Sequence, residues 1–304
     1  MSVTKKFGII IITYNRANDL LSLLKNIATL NFKEELLEEV IIINNKSTES
    51  YSTVNSFIKN NPHIPFKYTE TDENLGVSRG RNFAISQSKA PFLILVDDDA
   101  EFQDENTLSI INKSTSENKD VGIIAMKVLY YHNNEIQRSS FPHKLYREKK
   151  DLINFHTYYF VGCGNIIKRE ALDKAGLFPT TFFYGMEEYD LSYRILDLGY
   201  KILYDSRIVL LHKESPEGRQ TKSIKLRGMW VNKSIVAWRY LPILYFISTS
   251  IIWSFFFLYK TKFDLINFMK GWKIIINIPS TEKRYLIKKE TLNYIKSLKA
   301  RLAY

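Results

Sequence analysis

The run Phe92-Leu93-Ile94-Leu95-Val96-Asp97-Asp98-Asp99 decides the fold of this 304-residue chain. Five apolar residues without a polar break describe a strand covered on both faces, and three carboxylates then stop it. Working upstream, Gly8-Ile9-Ile10-Ile11-Ile12 is a strand of the same kind ending at Thr13-Tyr14-Asn15. Val40-Ile41-Ile42-Ile43 is another, opening into Asn44-Asn45-Lys46-Ser47-Thr48, and a further strand falls near Phe66 to Thr69. Between these strands Leu20, Leu21, Leu24, Ile27 and Leu30 recur at helical spacing behind the capping candidates Asn18 and Asp19. A polar helix extends to about Asn60, and Asn74-Leu75-Gly76 turns into a helix over Val77 to Ser88. This alternation implies an α/β fold, Rossmann-like, with a mainly parallel central sheet and flanking helices. Ligands of open parallel sheets bind beyond the carboxyl ends of the strands, so Tyr14, Asn44 and the triple Asp are expected to meet at one crevice.

Downstream the pattern is less regular. Strands are expected near Gly122 to Tyr130 and Tyr158 to Ile167, with a flexible loop over the polar stretch Asn133 to Asp151. A helix after Glu187 places Leu191, Ile195 and Leu198 on one face and stops at Gly199, and the apolar strand Ile208 to Leu211 leads to His212.

Hydrophobic residues make up 45% and charged residues 25%, values of an ordinary globular chain that exclude disorder. The single cysteine, Cys163, excludes an intrachain disulfide and reads as structural, in keeping with a reducing compartment. The apolar run Phe7 to Ile12 is too short for a signal-peptide core, so the chain is expected to stay in the cytosol. The net charge is +11, but Lys213 to Tyr304 hold 18 Lys+Arg against 5 Asp+Glu, which leaves −2 for the rest. The basic character belongs to the tail. There, Tyr240 to Tyr259 run for 20 residues without a charge, close to the length that crosses a bilayer core. Pro242, Ser248-Thr249-Ser250 and the basic flanks favour an interfacial hairpin. Basic residues of Arg219 to Arg239 and Lys283 to Arg301 surround Trp230, Trp238, Tyr285 and Tyr294, an arrangement suited to anionic headgroups. The plainer alternative is a helical subdomain packed on the α/β domain. No nucleic-acid module is recognisable, and no nucleic-acid partner is expected.

Three carboxylates at one strand mouth raise one another's pKa unless a cation neutralises them. A hard divalent ion, Mg²⁺ or Mn²⁺, binds one or two carboxylates together with substrate phosphates. The plain alternative is a solvated loop capping the next helix. No Cys/His cluster suggests zinc, and neither a Walker loop nor a Gly-x-Ser-x-Gly elbow is present.

Five motifs stand in order: Thr13-Tyr14-Asn15-Arg16, Asn44-Asn45-Lys46-Ser47, Asn74-Leu75-Gly76 with Arg81-Asn82, the triple Asp, and Glu187-Glu188-Tyr189-Asp190-Leu191 with Arg194. Together they resemble the family 2 glycosyltransferases of inverting, GT-A type, over roughly Lys6 to Leu211, with a rhamnosyltransferase-like tail. The resemblance implies a GT-A catalytic domain over residues 1–215, its nucleotide-binding half to about 100 and its acceptor half beyond, followed by a helical membrane-associating region over 216–304. It implies that Thr13, Tyr14, Asn15, Arg16, Asn44, Asn74, Gly76, Arg81, Asp97 and Asp98 bind the nucleotide diphosphate sugar, with dTDP- and UDP-sugars the expected donors. Asp99, with Asp97 and His212, would hold Mn²⁺ or Mg²⁺. Asn44 departs from the family's usual Asp and Glu188 from its usual catalytic Asp, yet a carboxylate one methylene longer can still serve as general base, with Glu187 as the other candidate. Asp190 and Arg194, four residues apart, are expected to brace that helix. The Gln-x-x-Arg-Trp motif of processive synthases is absent, which implies transfer of one sugar per encounter. The implied acceptor is a glycan or lipid-linked oligosaccharide at the cytoplasmic side of the cell membrane, with the protein peripheral or monotopic. Two other classes fit the crevice, a nucleotidyltransferase and a non-catalytic sugar-nucleotide-binding scaffold.

Overall fold

In the computed structural model, which describes residues 5–215 and 221–302, strand β1 (Phe7–Thr13) leads through α1 (Ala17–Thr29) and the short α2 (Lys33–Leu36) to β2 (Leu37–Asn44). Next come α3 (Ser52–Asn60), β3 (Phe66–Glu70), α4 (Gly76–Gln87) and β4 (Phe92–Val96). These four strands pair in parallel, as expected, in the order β3-β2-β1-β4. Helix α1 starts earlier than its capping candidates Asn18 and Asp19: Arg16 holds the cap position, and the Ala17 N–H donates to Glu49 Oε1 at 2.5 Å.

After β4 the sheet changes character. Strand β5 (Ala100–Phe102) and α5 (Thr107–Glu117) precede β6 (Val121–Tyr130), and α6 (Tyr146–Lys149) precedes β7 (Asn154–Thr157). Strand β8 (Gly164–Lys168), α7 (Arg169–Ala175), α8 (Glu187–Asp197) and β9 (Lys201–His212) complete the order β3-β2-β1-β4-β8-β6-β9-β5, with β7 on β9. Strand β8 runs antiparallel between β4 and β6, while β6 and β9 are parallel. The sheet is therefore mixed, and the mainly parallel expectation holds only for its first half. Two further expectations are corrected. The single strand foreseen near Tyr158 to Ile167 is borne out only from Gly164, where β8 begins, and Tyr158 to Cys163 form an irregular segment between β7 and β8. The foreseen flexible loop over Asn133 to Asp151 contains a 3-10 turn at Arg138–Ser140 and buries Gln137, Ser140, Phe141 and His143.

Period-two alternation divides the core between the two faces of the sheet. Ile9, Ile11, Ile42 and Ile94 face α1, α3 and α5, while Ile10, Ile41, Ile43, Leu93 and Leu95 face the side that carries α4, α7 and α8.

The C-terminal helices α9 (Lys222–Tyr240), α10 (Ile243–Thr261), α11 (Leu265–Thr281) and α12 (Lys289–Ser297) join that second core. Trp230 organises them. It is fully buried, stacks on Phe257 and Phe268 at 5.6 and 5.8 Å between centroids, and donates from Nε1 to the Ser250 carbonyl at 2.9 Å. A Cβ at Gly271 would come within 2.5 Å of this indole, so only glycine allows α11 to approach. Trp230 is thus unavailable to headgroups, and Trp238 is half-buried with its Nε1 donating to the Glu282 carbonyl at 2.9 Å. Exposed apolar residues of the tail include Leu244, Phe255 and Tyr259 on α10, Phe263 between α10 and α11, Ile266 and Ile276 on α11, and Tyr285 and Leu286 beyond it. Pro242 caps α10, so the uncharged run is broken at its start. Among the described residues α10 is the one helix long and apolar enough to cross a membrane, with 22% of its apolar window buried. Arg219 and the expected domain boundary at 216 lie outside the described residues.

Asp190 ties the tail to the sheet. Arg194 donates to its Oδ2 from Nε and Nη2 at 2.9 and 2.7 Å, as the four-residue spacing predicts. Its Oδ1 accepts from Arg239 Nη1 at 2.8 Å and from the Tyr240 hydroxyl at 2.9 Å, and Arg239 also forks onto Glu282 Oε2. Removing one member of such a buried network leaves charges without their partner. Asp190→Ala is therefore expected to reduce the unfolding free energy by on the order of 3 kcal/mol in urea denaturation. A loss within experimental error would show that the arginines hold the tail without Asp190.

Candidate active site

The register of β1 with β2 sets Thr13 opposite Asn44, and β4 ends beside them at Asp97. The three aspartates form a tight turn into β5, closed by the Ala100 N–H donating to the Asp97 carbonyl at 3.1 Å. No helix follows for them to cap, and Asp98 and Asp99 are buried, so the solvated-loop alternative does not hold. Strand β5 pairs with β9 through Ala100 and His212, which places His212 Nε2 3.1 Å from Asp99 Oδ1. Ligand atoms of Asp97, Asp99 and His212 all lie within 4.8 Å of one another. Two carboxylates and one imidazole on such a spacing could hold a divalent metal ion.

Arg16 crowns the turn, with Nη1 at 2.9 Å from Asp98 Oδ1 and 3.2 Å from Asp99 Oδ2. Burial pushes Asp98 up to about 7 despite the Arg16 charge beside it. Burial would raise Asp99 as well, but its bond to His212 and the charges of His212 and Arg16 hold it below the ordinary carboxylate value.

On the far side of the cavity α8 begins at Glu187. The backbone turns sharply into it through Gly185 and Met186, with φ of 84° and 72°. Glu187 and Glu188 both line the cavity, Glu188 with a 16% exposed side chain and Glu187 with a 2% exposed one whose Oε2 has no hydrogen-bond partner. Burial raises both carboxyl pKa values, against the pull of the nearby Arg81 charge. Arg81, on α4, is itself buried. Its Nη1 lies 3.4 Å from Glu188 Oε1 and 3.6 Å from Glu187, and its Nη2 lies 3.4 Å from Asp97 and 3.0 Å from the Gly162 carbonyl. A Cβ at Gly162 would sit 2.3 Å from Glu188 Oε1 and 2.7 Å from Arg81 Nη2, so this glycine makes room for the pair. Asn82 fixes α4 by exchanging two hydrogen bonds with Phe178, at 2.8 and 3.0 Å.

These groups line one cavity of about 550 Å³, of a size that holds a nucleotide sugar. Thr13, Tyr14, Arg16, Asn74, Gly76, Arg81, the three aspartates, His212 and Glu188 all lie on its wall. Two sequence candidates do not. Asn44 donates from Nδ2 to the Tyr68 hydroxyl at 2.8 Å and accepts the Ser47 N–H at 2.9 Å, so both ends of its amide are committed inside the protein. Asn15 accepts the Thr48 N–H at 2.7 Å and likewise braces a loop. The neighbour Asn45 lines the cavity instead, with a buried Oδ1 that has no hydrogen-bond partner. Sequence reading also missed Tyr184 and, from the tail, Lys225 and Met229. Gly162-Cys163-Gly164 was the available signal for a close approach at this wall.

The sequence pattern of Glycosyl transferase family 2 matches residues 8–176. An uncharacterized protein of Haemophilus influenzae is 34% identical over 177 residues, 57% of this chain and 92% of its own length. The uncharacterized glycosyltransferase YwdF of Bacillus subtilis is 26% identical over 57% of this chain, which spans 62% of that relative. Among solved structures, S. aureus TarS 1-349 in complex with UDP-GlcNAc matches with a TM-score of 0.63 at 16% identity, over 96% of this chain and 88% of that one. The Pyrobaculum calidifontis mannosyltransferase PcManGT, in complex with GDP-Man and Mn²⁺, matches with 0.59 at 14%, over 98% and 85%. GalNAc-T7 with UDP, GalNAc and Mn²⁺ matches with 0.62 at 16%, over 76% of this chain and 48% of its own. This chain thus spans about half of GalNAc-T7. At these identities the structural likeness shows the fold, a GT-A-like α/β arrangement.

Because the folded state raises the Glu187 pKa, protonated Glu187 contributes stability that is complete below the unfolded value of about 4 and is lost as pH rises through the folded value. Glu187→Gln, neutral at every pH, is expected to raise the melting temperature over the parent at pH 8, with the difference shrinking towards pH 5. Calorimetry at the two pH values checks this, and an equal or lower melting temperature at pH 8 would contradict it.

Proposed function

Since the chain belongs to Glycosyl transferase family 2, we propose that it moves one sugar from a nucleoside diphosphate sugar to a hydroxyl of a glycan acceptor, with inversion and with Glu188 as general base. The observation that carries this reading is the placement of Glu188 and the Asp97–Asp99–His212 group on the wall of one cavity. In the proposed reaction the acceptor oxygen gives its proton to Glu188 as it forms a bond to the anomeric carbon. The bond from that carbon to the nucleoside diphosphate breaks on the opposite face. A base pKa raised by burial suits this work near neutral pH. Glu188 is favoured over Glu187 because, of the two carboxylates on the cavity wall, its side chain is the more exposed. Asp97, Asp99 and His212 would hold the divalent cation, which supplies neutralisation of the charge developing on the leaving diphosphate. Thr13, Tyr14, Asn74, Gly76 and Asp98 would take the nucleotide end, and Asn45 replaces Asn44 as the amide available to a base. Arg81 positions Glu188 and Asp97.

The donors held by TarS and PcManGT carry uridine and guanosine diphosphates, so the nucleotide is best sought with dTDP-rhamnose, UDP-sugars and GDP-mannose together. With saturating Mn²⁺, one donor is expected to release its nucleoside diphosphate slowly to water and rapidly with acceptor. Asp99→Ala and Glu188→Gln should each lower the transfer rate by at least about a hundredfold, the order contributed by general base catalysis. The acid limb of kcat/KM should lie above the ordinary carboxylate range and disappear in Glu188→Gln. Full activity of Glu188→Gln would remove the assigned base, and donor binding with no release or transfer would favour a non-catalytic scaffold.

The proposed division is a catalytic unit to about 215 and a tail that rests at the cytoplasmic side of a membrane near a lipid-linked acceptor. What supports it is the run of exposed apolar side chains on α10 and α11 beside Lys260, Lys262, Lys270 and Lys273. The protein should sediment with vesicles of phosphatidylglycerol and phosphatidylcholine, less so at high salt. Phe255→Ser and Phe263→Ser should each weaken that partition about tenfold or more, given the roughly 1.5–3 kcal/mol of burying such a side chain. Unchanged sedimentation of the double variant would place the contact elsewhere.

A further inference from the structure

Gln137 lies just before the 3-10 turn at Arg138–Ser140, and its side chain is buried against His212. The imidazole stands between two acceptors: Nδ1 is 2.9 Å from Gln137 Oε1, and Nε2 is 3.1 Å from Asp99 Oδ1. The segment is pinned in that position. The Gln137 N–H donates to the Val128 carbonyl at 2.9 Å, its own carbonyl accepts the Ser140 N–H at 2.9 Å, and the Ser140 hydroxyl donates to Oε1 at 2.7 Å.

An amide oxygen only accepts, so the imidazole nitrogen facing it must carry a hydrogen. A neutral imidazole with hydrogen on Nδ1 has its lone pair on Nε2, so a cation bound there would displace the proton that Nε2 otherwise donates to Asp99 Oδ1. Gln137 Nε2 has no hydrogen-bond partner, a cost that Met or Leu at this position would avoid, so packing does not account for the residue. We propose that Gln137 is a positioning residue that fixes His212 in the Nδ1–H tautomer and aims its Nε2 lone pair at a divalent cation shared with Asp97 and Asp99. This inference rests on the reading of His212 as a ligand and adds to it the group that sets its tautomer and ring orientation. The reverse orientation of the amide would put an N–H against Nδ1 and leave Nε2 protonated towards the cation.

Mn²⁺ binding, read from the electron paramagnetic resonance of the free ion, tests the inference without any substrate. Gln137→Met should weaken Mn²⁺ binding 10- to 100-fold, the usual effect of losing such a partner. Gln137→Glu, which keeps an acceptor and removes the donor, should bind at least as tightly as the parent. In a His212→Ala background Gln137→Met should have no further effect, an outcome that a general structural defect would not produce. Parental affinity in Gln137→Met, or a tenfold loss in Gln137→Glu, would overturn the proposal while the metal reading stands. Parental affinity in His212→Ala would instead overturn the reading of His212 as a ligand, and the proposal with it. Gln137→Glu decides the matter even where the Met variant fails to fold.

Discussion

The arrangement of the cavity depends on one buried guanidinium. Arg81 lies within 3.6 Å of carboxylates from Asp97, Glu187 and Glu188, which come from the end of β4 and the start of α8. Glu187, Glu188 and the partly exposed Asp97 would repel one another if all were charged, and the cation between them offsets that repulsion and lets the two elements approach. A planar fork suits the task better than an ammonium, because Nη1 faces α8 while Nη2 faces Asp97 and the Gly162 carbonyl. The aspartate turn and the candidate base are thereby held at a fixed separation. The same wedge explains a glycine at 162, where a methyl group would occupy the space of the ion pair.

Much of the N-terminal half was legible because its signals are local. Runs such as Ile9 to Ile12 and Leu93 to Val96 read as doubly covered strands whatever their neighbours, and the acidic turn follows directly from one of them. Strand β8 was not legible as antiparallel, since Ile166 and Ile167 present the same pattern read in either direction and pairing is decided by distant partners. The exchange of Asn45 for Asn44 is a one-residue matter of parity at a strand end, where successive side chains point to opposite sides. Gln137 was hidden for a different reason. A polar stretch without hydrophobic period reads as loop, yet here Gln137 is buried against His212 and His143 against the Leu298 carbonyl. Trp230 shows the converse, an aromatic in a basic segment that is consumed by the packing of α9, α10 and α11 rather than offered to a surface.

The family pattern ends at residue 176, before α8 begins at Glu187. Beyond that limit, Asp190 fastens α8 to Arg239 and Tyr240 at the end of α9, and through Arg239 to Glu282 just after α11. Both roots of the α10–α11 hairpin thus converge two residues from Glu188, and Lys225 and Met229 of α9 stand in the cavity wall. The tail is therefore no detachable accessory. A graft of a foreign tail that leaves α8 behind would break the ion pairs of Arg239 with Asp190 and Glu282 on which the fit of the two parts depends.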